Sequence, residues 1–153
     1  MIEFLWKCNV NPQIRKLQYS DIDGVYDLGM KVQEFSAKDQ EEHRFWSKST
    51  LERFVSQGLS FVIEDEDLVV GFLLSAYQPI TQKLTWENMY IEPAYQKRGL
   101  AEVCFKESWS KAQKDGATIV EGIVASNNLP AQKMLKRLGF SSAGDYQWML
   151  KFG

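Results

Sequence analysis

Gln96-Lys97-Arg98-Gly99-Leu100-Ala101 is the stretch whose residue types and spacing carry the most chemistry. Ahead of it, Leu84–Ile91 reads as a strand that breaks at Glu92-Pro93, because Pro93 has no N–H and restricts the residue before it. Behind it, Leu100, Val103, Cys104 and Phe105 begin a helical pattern. A strand, a glycine-containing turn and a helix start gather free backbone N–H groups at the positive end of a helix dipole. Such a point binds phosphate oxygens. The same residues also suit an ordinary strand-to-helix connection, with Lys97 and Arg98 solvated and Gly99 relieving the turn.

Other reactive side chains are few. Cys8 and Cys104 do not make a disulfide framework, and a single histidine, His43, excludes the usual His-rich metal sites. No metal is expected. Cys104 reads as a small core residue, since an acyl-cysteine would need a base partner that the sequence lacks. His43 could serve as a base near an acceptor, but in its charged segment it reads as a surface residue. Neither GxGxxG nor GxxxxGK[ST] is present, which disfavours a dinucleotide fold or a P-loop. Lys plus Arg is 18 against Asp plus Glu 20, so the charge balance gives no reason to expect nucleic acid or an anionic membrane as partner.

The elements that must position this turn can be taken in chain order. Ile14–Gln18 reads as a short strand. Ser20 with Asp23 is expected to cap a helix carrying Ile22, Val25, Tyr26, Gly29 and Val32. Residues 34–47, with Phe35, His43, Phe45 and Trp46, keep no period and read as a loop or broken helix lying over something. Ser49 with Glu52 predicts a second helix that Gly58 ends. Ser60–Glu64 and Leu68–Tyr77 form a hairpin around Asp65-Glu66-Asp67, and Lys83–Ile91 is a third strand after a turn at 78–82. The helix from Gly99 runs to about Lys114, and Thr118–Val124 is a further strand. Asn128 with Pro130 opens a last helix through Ala131, Met134, Leu135 and Leu138, stopped by Gly139. Ser141–Ala143 and Gln147–Phe152 are strand candidates.

This order predicts one α+β domain over 1–153, with 1–13 an extension of unassigned role. Its mixed sheet would hold about six to seven strands, flanked by about four helices. The strand ending at Ile91 and the one starting at Thr118 are joined through a helix and should be parallel neighbours. The turn then lies past the carboxyl end of the first, where open α/β sheets bind ligands. No apolar run is long enough to span a bilayer, and residues 1–13 lack a signal-peptide pattern, so a reduced, cytoplasmic setting is the expectation.

Residues 96–101 fit the Q/R-x-x-G-x-G/A signature of the GNAT superfamily of acyl-CoA-dependent N-acetyltransferases. Asn128-Leu129-Pro130-Ala131, then Leu135 and Leu138-Gly139-Phe140, resemble that family's N-x-x-A-x-x-x-Y-x-x-x-G-F segment. The resemblance covers roughly Ile14 to Phe152. It implies that Gln96, Lys97, Arg98, Gly99, Leu100 and Ala101 hold the CoA pyrophosphate. It further implies that the main chain at Met89, Tyr90 and Ile91 pairs with the pantetheine arm, and that Asn128 bonds the cofactor arm.

Glu87 resembles the family's general base, its alternative being a solvent-facing carboxylate paired to a lysine. Glu121 is the second candidate and could share a cleft with Glu87, raising the pKa of one of them. Two departures stand out: Leu135 where the family often has a proton-donating Tyr, and Ile123 where some members carry a base Glu. Tyr90, Tyr95 and Tyr146 are substitute donors. The implied activity moves an acetyl or other short acyl group from acetyl-CoA or a related thioester to a primary amine, small-molecule or peptide, by direct attack in a ternary complex. The rival is a non-catalytic acyl-CoA-binding or interaction module. The acceptor and the oligomeric state, a homodimer included, stay open.

Overall fold

The structure, a computed structural model, describes residues 11–35, 45–151 and 153. Cys8 and His43 lie outside the described residues. Two compact units are present, the first ending at Ile123 and the second running from Val124 to Gly153.

The first unit holds five strands: β1 (Gln13–Lys16), β2 (Phe61–Asp65), β3 (Leu68–Gln78), β4 (Lys83–Ile91) and β5 (Ile119–Gly122). They lie side by side in sequence order. The first four pair antiparallel, and β4 pairs β5 in parallel, as the helical connection between them requires. Helices α1 (Ile22–Met30) and α2 (Lys48–Gln57) cover one face. There Val25, Leu28, Leu51 and Phe54 pack against Val62, Phe72 and Leu74. Helix α3 (Leu100–Lys114) covers the other, where Ala112 joins Leu59, Leu84 and Ala117, and the Phe105 ring stacks on Trp86 at 5.3 Å. Alternate residues of β3 and β4 thus feed opposite cores, which is why β3 reads as an almost unbroken apolar run.

Two helix starts differ from the sequence reading. A 3-10 helical turn, Tyr19–Asp21, precedes α1. In it the buried Asp21, rather than Ser20 or Asp23, accepts the Gln18 N–H at 2.8 Å. Arg15 grips both Asp21 oxygens (2.7 and 2.8 Å) and reaches Glu64 through Nε at 2.5 Å. Asp21 is therefore held by a long-range ion network, which outweighs local capping. Helix α2 is capped by Ser47, whose Oγ accepts the Thr50 N–H at 3.2 Å, so it begins before Ser49. Gly58 ends α2 at φ +67°, a left-handed position that a side chain would strain.

In the second unit, α4 spans Leu129–Arg137 with Asn128 as its cap. No strand forms over 141–151, so the sheet has five strands among the described residues rather than six or seven. Ser-Ser-Ala has little strand preference, and Gly144 at φ +131° interrupts any run between the two segments. Among the described residues no helix is long and apolar enough to cross a membrane.

Candidate active site

Three local features meet where β4 leaves its neighbours. The first is a β-bulge. Leu74 stands opposite Asn88 and Ser75 opposite Trp86, so Glu87 is an extra residue with no partner on β3. Asn88 lies across from Leu74, on the face covered by α1 and α2, and the bulge sets Glu87 beside it.

The second is a divergence of strands. The parallel ladder with β5 ends at Trp86 opposite Gly122, while β4 runs on to Ile91. From Glu87 to Ile91, including Met89 and Tyr90, the β5-side edge of β4 has no ladder partner within the unit. An incoming extended chain can complete such an edge by main-chain hydrogen bonds.

The third is the turn after β4. A 3-10 helical turn, Pro93–Tyr95, leads to Lys97 at φ +60° and Gly99 at φ +75°, and α3 follows with no side chain capping it. Two left-handed residues within three turn successive N–H groups toward one point, and the start of a fifteen-residue helix adds its dipole. Gln96 donates its amide Nε2 to the Ile91 carbonyl at 2.8 Å, which ties the turn to the end of β4. Arg98 lies over the Tyr95 ring at 5.4 Å and donates to the Ala94 carbonyl at 2.8 Å, while Lys97 is exposed. Leu100 and Ala101 supply the first helical N–H groups.

Glu87 is half-buried, and burial, followed by the charge of Glu121, pushes its pKa upward. Among the described residues its carboxylate has no hydrogen bond or ion pair. Lys83, on the same strand, is bound to Glu121 at 3.0 Å. Thr85 opposite Glu121 puts both carboxylates on one face, Glu87 the more buried and Glu121 exposed. An unpaired carboxylate that resists ionisation beside a break in a sheet is suited to taking a proton from an amine.

The donor candidates separate. Tyr95 donates its hydroxyl to Asp65 at 2.5 Å, and that bond holds its pKa up, so it braces the turn against the β2–β3 hairpin. Tyr146 donates to the Ala143 carbonyl at 3.1 Å. Tyr90 packs on Phe72 with its phenol pushed upward by burial and by Glu92 and Glu34. Cys104 is buried, its thiol pushed up to about 12 by desolvation, and is no nucleophile. Among the described residues no group of side chains has the make-up of a metal site.

A family pattern decides the class. The acetyltransferase (GNAT) family matches residues 22–140. The chain belongs to the GNAT acetyltransferase family. Its membership makes it an acyltransferase, and the fold agrees. The aminoglycoside N-acetyltransferase AAC(6')-Iy in complex with CoA superposes with a TM-score of 0.74 at 14% identity, covering 96% of this chain and 99% of that one. The ribosomal-protein-S18-alanine N-acetyltransferase from Escherichia coli gives 0.68 at 21% identity, over 88% and 80%. The PaiA N-acetyltransferase from Thermoplasma acidophilum in complex with coenzyme A gives 0.72 at 15%, over 89% and 94%. No curated protein sequence matches the chain.

Within this GNAT chain, the structure sets Glu87 within reach of the charge of Glu121 and ties the 96–101 turn to the far end of the same free β4 edge. Asn128 belongs to the second unit, where its Oδ1 accepts the Ala131 N–H at 3.3 Å. The bulge was not legible from sequence, because no glycine marks it. Missed too was the bond from Trp46 Nε1 to Asn88 Oδ1 at 2.6 Å. Its one signal was an aromatic in a segment without period.

Proposed function

We propose that residues 1–153 act as one N-acetyltransferase domain that moves an acetyl or other short acyl group from acyl-CoA to a primary amine. The amine attacks directly in a ternary complex. The observation that carries this is the free β4 edge from Glu87 to Ile91, running into an uncapped helix start at Gly99. The residues of the first unit fit acyl-CoA: the 96–101 turn, with the N–H groups of Lys97 to Ala101, for its pyrophosphate, and the main chain of Met89, Tyr90 and Ile91 for its amide-bearing arm; Asn128 is the further contact that the family resemblance implies. The bound thioester supplies an electrophilic carbonyl carbon. Free N–H groups on the β4 edge are placed to polarise its oxygen.

Glu87 takes the proton that the acceptor nitrogen loses, and the bond from that nitrogen to carbon replaces the bond from carbon to sulfur. Its half-burial makes it a better base than an exposed carboxylate, and general-base help is worth about 10²–10⁴ in rate. Leu135 offers no proton to the sulfur. A thiol with pKa near ~8.5 leaves adequately without one, so water returns that proton. The acceptor is a small-molecule or peptide amine.

Cofactor binding is tested by thermal unfolding. Acetyl-CoA at about a hundred times its Kd adds about 2.7 kcal/mol of stability, or several degrees in a domain of this size. An unchanged Tm at saturation would overturn the reading. The second reading, a non-catalytic acyl-CoA-binding module, is motivated by Leu135 and Ile123, which remove two family proton-transfer positions. It predicts the same Tm shift without turnover of any amine.

A further inference from the structure

Residues 45 and 46, just ahead of α2, are held at two points. The Phe45 ring stacks on Phe35 at 5.6 Å, meets Phe72 at 5.7 Å, and fills the space that a side chain on Gly29 would need. The Trp46 ring packs on Phe54 of α2 at 6.0 Å, and its indole N–H reaches across to Asn88 on β4 at 2.6 Å. Asn88 follows Glu87 in the bulge. A bulge leaves its extra residue without the cross-strand pair that fixes ordinary strand positions. On the α1–α2 face, the described hydrogen bond that reaches this point of β4 comes from Trp46.

We propose that Trp46 is a positioning residue for Glu87: its indole N–H holds Asn88, fixes the bulge, and so aims the Glu87 carboxylate at the acceptor nitrogen. This rests on the reading of Glu87 as the base. Trp46 itself touches no reacting atom, and its effect runs wholly through Asn88.

Trp46→Phe keeps the ring on Phe54 and removes only the N–H. It should lower kcat about tenfold, the scale of a sub-ångström misplacement of a catalytic group, with the acetyl-CoA KM within about twofold of wild type. Asn88→Ala should do the same, and the double variant should be no worse than either alone, because one bond is lost in all three. In a Glu87→Gln background Trp46→Phe should change nothing further. The free protein gives a readout that needs no acceptor: Asn88→Ala should shift the Trp46 indole N–H resonance in a ¹⁵N spectrum and speed its exchange with water.

If Glu87→Gln leaves kcat intact, the base assignment falls, and the positioning role falls with it. If Glu87→Gln is slow while Trp46→Phe and Asn88→Ala keep full kcat, the positioning role alone is overturned. Additive losses in the double variant, or a change confined to the acceptor KM, would also overturn it. So would an unshifted indole resonance. Should Trp46→Phe fail to fold, Asn88→Ala and the indole spectrum decide.

Discussion

Gly29→Ala should destabilise this protein, although the same change in an ordinary helix stabilises it. Gly29 is buried in α1, where alanine is worth about 1 kcal/mol more than glycine by helix propensity. Here, however, an added Cβ would overlap three atoms of the Phe45 ring. The ring must leave. Doing so forfeits its pairs with Phe35 and Phe72, about 0.5–1.5 kcal/mol each. It also exposes a half-buried phenylalanine, at roughly 1 kcal/mol. Against the propensity gain, the net loss is about 1–3 kcal/mol, and at about 2–4 °C per kcal/mol Tm falls by several degrees. Thermal unfolding followed by far-UV circular dichroism reads this directly. On a Phe45→Ala background the overlap is gone, and Gly29→Ala should turn neutral or stabilising. A rise in Tm for Gly29→Ala in the otherwise wild-type chain would refute the packing argument.

Gly99→Val should weaken acetyl-CoA binding, measured by calorimetry. Nothing lies within 4 Å of the added Cβ, so the cost comes from φ +75°, about 1–2 kcal/mol, and from displaced N–H groups. Glu87→Gln should raise Tm at neutral pH. The folded state holds this carboxyl's pKa above its unfolded value, so wild type loses stability as pH rises through that window and the neutral amide does not. The gain should vanish below the unfolded pKa, and an equal gain at all pH values would contradict it. Cys104 should resist alkylation in the native state, and Cys104→Ala should keep full turnover in a CoA-release assay. Leu135→Ala should leave the chemical step unchanged, because leucine carries no proton, and loss of turnover in a folded, acetyl-CoA-binding variant would show otherwise.

Much of this architecture is written in local chemistry. Pro93 and Gly99 mark the end of a strand and the start of a helix because each restricts or frees its own backbone, Gly58 acts the same way, and Asn128 starts α4 through its side chain. The parallel pairing of β4 with β5 followed from a helix lying between them. What sequence left hidden depends on distant partners. Asp21 looks like any acidic residue until Arg15 and Glu64 are seen around it. Trp46 and Asn88 are 42 residues apart, and nothing in either neighbourhood announces their bond. The bulge at Glu87 has no compositional mark, yet it is what sets that carboxylate off the ladder. Ser49 was the expected cap of α2, and only the chain's path chose Ser47.

Release of CoA from acetyl-CoA, followed by thiol titration across a panel of primary amines, tests the central claim most directly. Polyamines, aminoglycosides, amino acids and short peptides with free N-termini or lysines would form the panel, and wild type would be compared with Glu87→Gln at neutral pH. Wild type should release CoA only with an acceptor present. Glu87→Gln should be about 10²–10⁴ slower with unchanged acetyl-CoA affinity, and the gap should narrow at high pH, where free amine needs no base. Acetyl-CoA binding with no amine-dependent release from wild type would contradict an acetyltransferase and leave the binding module. Full activity in Glu87→Gln would contradict the base assignment.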